Sequence, residues 1–426
     1  DMAYSIAPPA NGRILRDLIL GANFLQSHIT HFYHFSVPDY VDFSDVKEYK
    51  GNDARLNHFK QWLASPPPSD YPGTPFLTRY NGGLIAKSDI NIHLTDSYIT
   101  AYDMRRLTHQ AAAVFCGKMP HASALIPGGI SEAVTPLNQA NYISKLRSIR
   151  AFVANRYIPD LLSMAAEFPG YFQMGKSYGN YLAYGVFHSI DEASPSLFPG
   201  GVYLNGELNP FDREAIHETL RYAFFQANSS AQNSPHSAVP APEKEGAYSW
   251  IKAPRYKQAA MEVGPLARVM IAYHAGTNAA LKQRVDRYLK KLGKTIDDLN
   301  SVWGRHLARA LECEMIADHC LVLADQLTPD QKNFTDFSIP EEGAGHGLSE
   351  APRGALGHWL EIEDKKIASY QCVVPTTWNC SPRDEKDLPG VMEKALENTP
   401  IAQEESPLEA ARVVRAFDPC LACAVH

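Results

Sequence analysis

Long apolar runs are missing. No stretch of about 18 apolar residues occurs in the 426-residue chain, which excludes a membrane-spanning helix. No basic block exists either: 40 Lys and Arg stand against 47 Asp and Glu, a formal charge of -7, so nucleic acid is not an expected partner. The opening Asp1-Met2-Ala3-Tyr4 leads into neither a basic region nor an apolar core, and reads as no secretory signal. Cysteine is sparse and odd in number, seven in all, which argues against a disulfide framework. Cys116, Cys313, Cys320, Cys372 and Cys380 lack zinc-type spacing. Cys313 and Cys320 share a helical face and read as small buried apolar residues. What is present suffices for a large core, with 45% apolar and 10% aromatic residues.

Along the chain, residues 10–35 read as a long helix. Ile14, Leu15, Leu18, Ile19, Ala22, Leu25 and Ile29 recur at threes and fours, with Pro8 and Pro9 just ahead, where helix starts permit proline. His28, His31 and His34 follow at intervals of three without an accompanying carboxylate, and read as packed or hydrogen-bonded histidines. Residues 66–74 are a proline-rich loop and 101–115 a second helix. Pro127-Gly128-Gly129 predicts a tight turn with close backbone approach. Residues 131–168 read as the longest helical block, with Glu132 in its first turn. Residues 197–210 predict short strands, and 229–246 a surface loop. Residues 258–327 are helical with a break near Gly293, and Arg309 and Glu312 sit three apart, close enough to pair on one face. Gly343, Gly345 and Gly347 read as loosening the chain. Residues 358–363 and 366–374 alternate around Asp364-Lys365 as a β-hairpin. A last helix, 407–416, delivers Asp418.

The final residues carry the chemistry. The two-residue gap between Cys420 and Cys423 lets both thiolates reach one metal. Spacing alone leaves a zinc knuckle, a redox dithiol and a pair of buried thiols open beside that reading. His426 ends the chain three residues further on, so a ligand and a carboxylate lie at a terminus that frays unless something ties it down.

Asp418-Pro419-Cys420-x-x-Cys423-x-x-His426 resembles the end of the large subunit of the nickel-iron hydrogenases. Further motifs agree in order: Pro120-His121 with Pro127-Gly128-Gly129, Gly304-Arg305 with Ala308-Arg309, Glu350-Ala351-Pro352-Arg353-Gly354, and Val374-Pro375-Thr376-Thr377-Trp378-Asn379. The run from Gly21 through Gln26, Ser27 and His28 resembles the selenium-containing branch, which carries selenocysteine where this sequence has Cys420. The resemblance implies one interwoven unit over residues 1–426, mainly α with a small β portion (α+β): a large helical core with β-hairpins near the C-terminal metal site. In the family the precursor is cut after the final His, so His426 would end a mature chain. The family's N-terminal Cys-x-x-Cys has no counterpart here. Roughly 60–70 family positions precede Asp1, and their thiolates are expected from another chain or segment.

Dihydrogen has no charge and no dipole, so its cleavage needs an electrophilic metal for the electron pair and a base for the proton. Soft thiolates suit nickel in that role. By the resemblance, Cys420 is a terminal nickel ligand and proton acceptor, and Cys423 bridges nickel to an iron that carries carbon monoxide and two cyanides. Arg353, always charged and rich in donors, would bond one cyanide and stabilise the transition state, with Asp418 as its counter-charge. Thr376 would donate to the other cyanide, and Pro352, Val374 and Pro375 would form a dry wall. His426 and the Cys372 backbone carbonyl would hold a second, structural cation, magnesium or iron. His121 would lie near the path to a partner's cluster, while Arg305, Arg309 and Glu312 serve structure. Electrons would leave through a small subunit with iron-sulfur clusters, since no other cysteine set here can hold one. That partner would carry the chain to the periplasm, the cytoplasm being the alternative. The expected function is therefore the catalytic large subunit of a hydrogenase that interconverts dihydrogen and protons. The alternatives are a hydrogen-sensing regulatory homologue and a non-catalytic subunit resembling the core of respiratory complex I. Cys420, Cys423, His426 and Arg353 together argue against the last.

Overall fold

Helix dominates the protein, at about 51% against 15% strand in small sheets, as the mainly α expectation with a small β portion requires. The computed structural model describes residues 1–64, 83–188, 196–226 and 239–424. The proline-rich loop at 66–74, the 229–238 part of the second loop, and His426 lie outside those residues.

The first helix, α1 (Ala10–Thr30), buries the positions its periodicity marks, Ile14, Leu15, Leu18, Ala22, Leu25 and Ile29. It runs on into a wider π-type turn at His31–Ser36, so the helical stretch ends about where its pattern does. After α2 (Ala54–Ala64) comes α3 (Ser88–Cys116), longer than the predicted 101–115. The 131–168 block divides into α4 (Pro136–Phe152), a second wide turn at Val153–Tyr157, and α5 (Ile158–Glu167). Its start is later than read. Thr135 and Asn138 cap α4 reciprocally, which leaves Glu132 ahead of the helix rather than in its first turn.

Residues 258–327 hold three α-helices: α6 (Pro265–Ala275), α7 (Ala279–Leu292) and α8 (Val302–Gln326), with a break at Gly276 as well as at Gly293. Helices α1, α3, α4 and α8 pack together, and the Tyr142 hydroxyl of α4 donates to the Leu18 carbonyl of α1 at 2.8 Å. One apolar core draws on residues from Ile14 to Phe417, so the two ends of the described chain share an interior. Buried on almost every side, α8 carries Arg305, His306, Arg309 and Glu312 through that interior. Such charges persist in an apolar core only when partnered, and their partners build the site.

The strands are short. A hairpin of β1 (Leu125–Ile126) and β2 (Gly129–Ile130) forms the predicted tight turn, and Gly129 bridges to Phe334 by backbone. The segments β3 (Tyr181–Ala183), β4 (Gly201–Leu204) and β5 (Glu207–Asn209) form one antiparallel sheet, and β6 (Ile216–Thr219) pairs β7 (Ala253–Tyr256). The last sheet runs β10-β9-β8, from β8 (Gly343–Ala351), β9 (Gly354–Glu363) and β10 (Lys366–Val373). Its second hairpin turns at Asp364-Lys365 as expected. Its first strand contradicts the reading of 343–347 as loosened chain. Alternate glycines leave one side of β8 bare, and the turn at Met2–Tyr4 lies against it; a Cβ on Gly345 would meet the Ala3 nitrogen at 2.7 Å. The Pro352-Arg353 turn joins β8 to β9, and the short α9 (Pro375–Asn379) follows β10. Then α10 (Val391–Leu396), α11 (Leu408–Phe417) and α12 (Leu421–Ala424) bring the chain back to that turn.

Candidate metal centre

A helix C-terminus leaves carbonyls without intrahelical donors. At the end of α11, buried groups from other elements satisfy them. His31 Nε2 donates to the Arg415 carbonyl at 2.6 Å and Arg309 Nη1 to the Ala416 carbonyl at 2.7 Å. Arg305, held by both Glu262 oxygens at 2.8 and 2.9 Å, lies 3.8 Å from the centre of the Phe417 ring. Cationic groups also suit the negative end of the helix dipole. So fixed, the chain leaves the helix through Asp418 in the left-handed region, at φ 58°.

Arg353 reaches Asp418 from the β8–β9 turn. Its Nη2 lies 3.0 Å from Asp418 Oδ1, and its Nε donates to the Asp418 carbonyl at 2.9 Å. Burial pushes the Asp418 carboxyl up from its ordinary pKa, while Arg353 and Arg309 oppose that shift. Its Oδ2 is buried without a hydrogen-bond partner among the described residues.

Beyond Asp418, the Cys420 N–H donates to Thr376 Oγ1 at 3.1 Å, which ties the terminal segment to α9. The Cys423 N–H donates to the Cys420 carbonyl at 3.1 Å, closing one turn that sets the two thiols side by side. Burial raises the pKa of the Cys423 thiol first, then neighbouring Cys420; Arg353 opposes and Cys372 adds to the rise. Cys372 stands on β10 opposite His358. Pro352 and Pro375 are buried and Val374 half-buried at the ends of their strands. The structure thus brings Arg353, Asp418, Thr376, Cys420, Cys423 and Cys372 to one place. His121 is exposed in the turn after α3, with φ 64°.

Among the described residues no group of three or more His, Cys, Asp or Glu forms a complete metal site. The two adjoining thiols beside a fixed guanidinium nonetheless match the soft donors nickel takes. Leu421, between them, is 84% exposed, so this turn faces outward from the described chain.

The anticipated Arg309–Glu312 pair does not form. Because α8 is buried all round from Val302 to Cys313, residues three apart there meet different neighbours. Glu312 accepts from Arg268 Nε and Nη2 at 2.6 and 2.8 Å and from His28 Nε2 at 2.9 Å. Burial works against the Glu312 charge, yet Arg268 and His28 outweigh it and hold the carboxyl below its ordinary range. Burial also lowers the pKa of His28, so a neutral ring donates to an ionised carboxylate. The three histidines read as hydrogen-bonded are so: His34 Nε2 meets the Tyr98 carbonyl at 3.3 Å.

Sequence reasoning assigned no role to Arg268, or to Glu350 within its own quoted motif. Arg268 Nη1 contacts Glu350 Oε2 at 2.6 Å. Its signal was present as one arginine inside the apolar run from Pro265 to Ala272, a placement that demands buried partners.

The model of the nickel-dependent hydrogenase family matches residues 1–426. The periplasmic NiFeSe hydrogenase large subunit of Desulfomicrobium baculatum is 36% identical over 447 residues, covering 100% of this chain and 80% of that protein. The Hydrogenase-1 large chain of Escherichia coli (strain K12) is 34% identical, covering 100% and 82%. Among solved structures, the Ni-Fe-Se hydrogenase of Desulfovibrio vulgaris Hildenborough in the as-isolated oxidized state aligns with a TM-score of 0.86 at 33% identity, covering 100% of this chain and 84% of that one. With its fold, its terminal thiols and this likeness along its whole length in agreement, the chain belongs to the nickel-dependent hydrogenase family, as a catalytic large subunit.

Proposed function

We propose that the turn at Asp418–Cys423 and the Pro352-Arg353 turn facing it form this chain's share of a nickel-iron centre. The double contact of Arg353 with Asp418, beside the adjoining Cys420 and Cys423, carries this reading. Cys420 and Cys423 would hold the nickel, with Cys423 also a ligand to the iron, and the remaining donors would come from outside the described residues. The iron would carry carbon monoxide and two cyanides. When bound, nickel supplies the Lewis acid that polarises dihydrogen.

Each side chain then has a defined task. Cys420 Sγ accepts the proton released on cleavage and returns it in the reverse direction. Arg353, anchored through Nε and Nη2, would present its remaining donors to a cyanide and to charge that develops in the transition state. Asp418 holds that guanidinium in place. Thr376 accepts from the Cys420 backbone, so its hydroxyl proton is free to point to the second cyanide. Pro352, Val374 and Pro375 exclude water there. His426 and the Cys372 carbonyl bind a structural magnesium or iron ion.

A small subunit is the expected partner, as the large-subunit relatives imply, and its iron-sulfur clusters take the electrons. The periplasm is the proposed address, on the name of the Desulfomicrobium relative. Among the described residues no helix is long and apolar enough to cross a membrane. No observation favours the hydrogen-sensing role. Metal analysis of the assembled enzyme with infrared spectroscopy tests the site directly. One nickel per large subunit together with the bands of iron-bound carbonyl and cyanide supports it; an assembled enzyme without nickel and without those bands would dismiss it.

A further inference from the structure

The Arg353 side chain is held by Asp418, but its backbone is held from the opposite side, by Arg268. This arginine is fully buried and all its donors are engaged. Nε and Nη2 reach Glu312, and Nη1 reaches Glu350. The two remaining bonds go to the turn itself: Nη1 donates to the Ala351 carbonyl at 3.1 Å and Nη2 to the Pro352 carbonyl at 2.9 Å. These are the two peptides directly preceding Arg353. The start of the same helix supports the next one. Gly264, whose carbonyl accepts from the Arg268 N–H at 2.9 Å, lies so close that a Cβ there would meet the Arg353 carbonyl oxygen at 2.5 Å.

The anchor is itself fixed. Glu312 joins α8 to α1 through His28, and Glu350 Oε1 accepts from the Tyr184 N–H at 2.7 Å. One guanidinium faces two buried acids, so it balances only one of them. Burial accordingly raises Glu350 to about 7, with Arg268 opposing. A lysine could not replace this fork, because one nitrogen cannot reach two carboxylates and two carbonyls.

We infer that Arg268 is a positioning residue for the hydrogenase reaction: its guanidinium, locked between Glu312 and Glu350, sets the Ala351-Pro352 carbonyls and thereby the place of Arg353 over the metals. The inference rests on the proposed role of Arg353.

The test uses the assembled, metal-loaded enzyme carrying Arg268→Lys, Arg353→Lys or both. Lysine keeps the buried charge while removing the fork. A displaced active-site group costs roughly tenfold to a hundredfold, so Arg268→Lys should lower turnover about that much with nickel retained. It should also move the infrared cyanide bands in the direction Arg353→Lys does. Since Arg268 acts only through Arg353, the double variant should turn over no more slowly than Arg353→Lys alone. Unmoved cyanide bands, or losses that multiply in the double variant, overturn the inference. A slow Arg353→Lys beside a normal Arg268→Lys sinks this inference and leaves the Arg353 reading standing; a normal Arg353→Lys sinks both. If Arg268→Lys fails to assemble, Arg268→Gln combined with Glu312→Gln removes one charge of each sign together, and the same bands and rates decide.

Discussion

Arg353 and Asp418, 65 residues apart in sequence, meet at two points: the guanidinium pairs with the carboxylate and also bonds the Asp418 backbone carbonyl. The second contact matters as much as the first. It makes Arg353 a fastening for the backbone that leads into Cys420, so a β-turn and a helix end are locked across the proposed centre.

Replacing Arg353 by lysine keeps a positive charge but loses the two-point geometry and the remaining donors. Turnover is expected to fall about a hundredfold or more, the cost of one preorganised donor, with nickel and iron content unchanged. Hydrogen-uptake assays beside elemental analysis check this, and full activity would remove Arg353 from the mechanism.

Cys423→Ala deletes one of the paired thiols while leaving the α12 turn, whose bond to the Cys420 carbonyl is made by backbone. The variant is expected to contain no nickel. Nickel at the parent level in the purified protein would show that Cys423 is not a ligand.

Gly264→Ala tests the contact between α6 and the Arg353 peptide. Gly264 has φ 111°, a conformation L-residues rarely adopt, and the new Cβ would overlap the Arg353 carbonyl. A loss of about 2–4 kcal/mol is expected from strain and displacement together. Denaturant unfolding measures it, and a midpoint equal to the parent's would show that the two segments part without cost.

Stability should also respond to pH through α1. Burial pushes the Asp17 carboxyl up to about 7, with Arg13 opposing. Its folded pKa thus exceeds the unfolded value of about 4, so its stabilising contribution is complete below about pH 4 and is lost as pH rises through 7. Asp17→Asn fixes a neutral side chain. It is expected to stabilise the enzyme by about 1–2 kcal/mol at pH 8, a discounted figure because the side chain keeps some contact with water, and by almost nothing at pH 4. Thermal midpoints at the two pH values decide, and an equal effect at both would assign the change to something other than titration.

Features written in short-range pattern were legible from the residues. The stripe of α1, the Asp364-Lys365 hairpin and the Cys420–Cys423 spacing each depend on neighbours a few positions away. The Thr135–Asn138 cap is equally local, yet the apolar periodicity running past it hid where α4 begins. Gly343 and Gly345 of β8 looked like slack because what fills the space beside them, Met2 and Ala3, comes from the other end of the chain.

By itself, then, the sequence determined a mainly helical protein, and its ordered motifs carried the resemblance to the hydrogenases and put Cys420 and Cys423 forward as candidate ligands, because periodicity and motif spacing are properties of adjacent residues. Only the tertiary structure decided which buried charge meets which. Glu312 turned to Arg268 and His28 instead of Arg309, and Arg268 to the turn that carries Arg353. The reason is physical: a charge inside a core must find a partner in space, and on the buried half of α8 the choice belongs to whichever distant segments pack against each face.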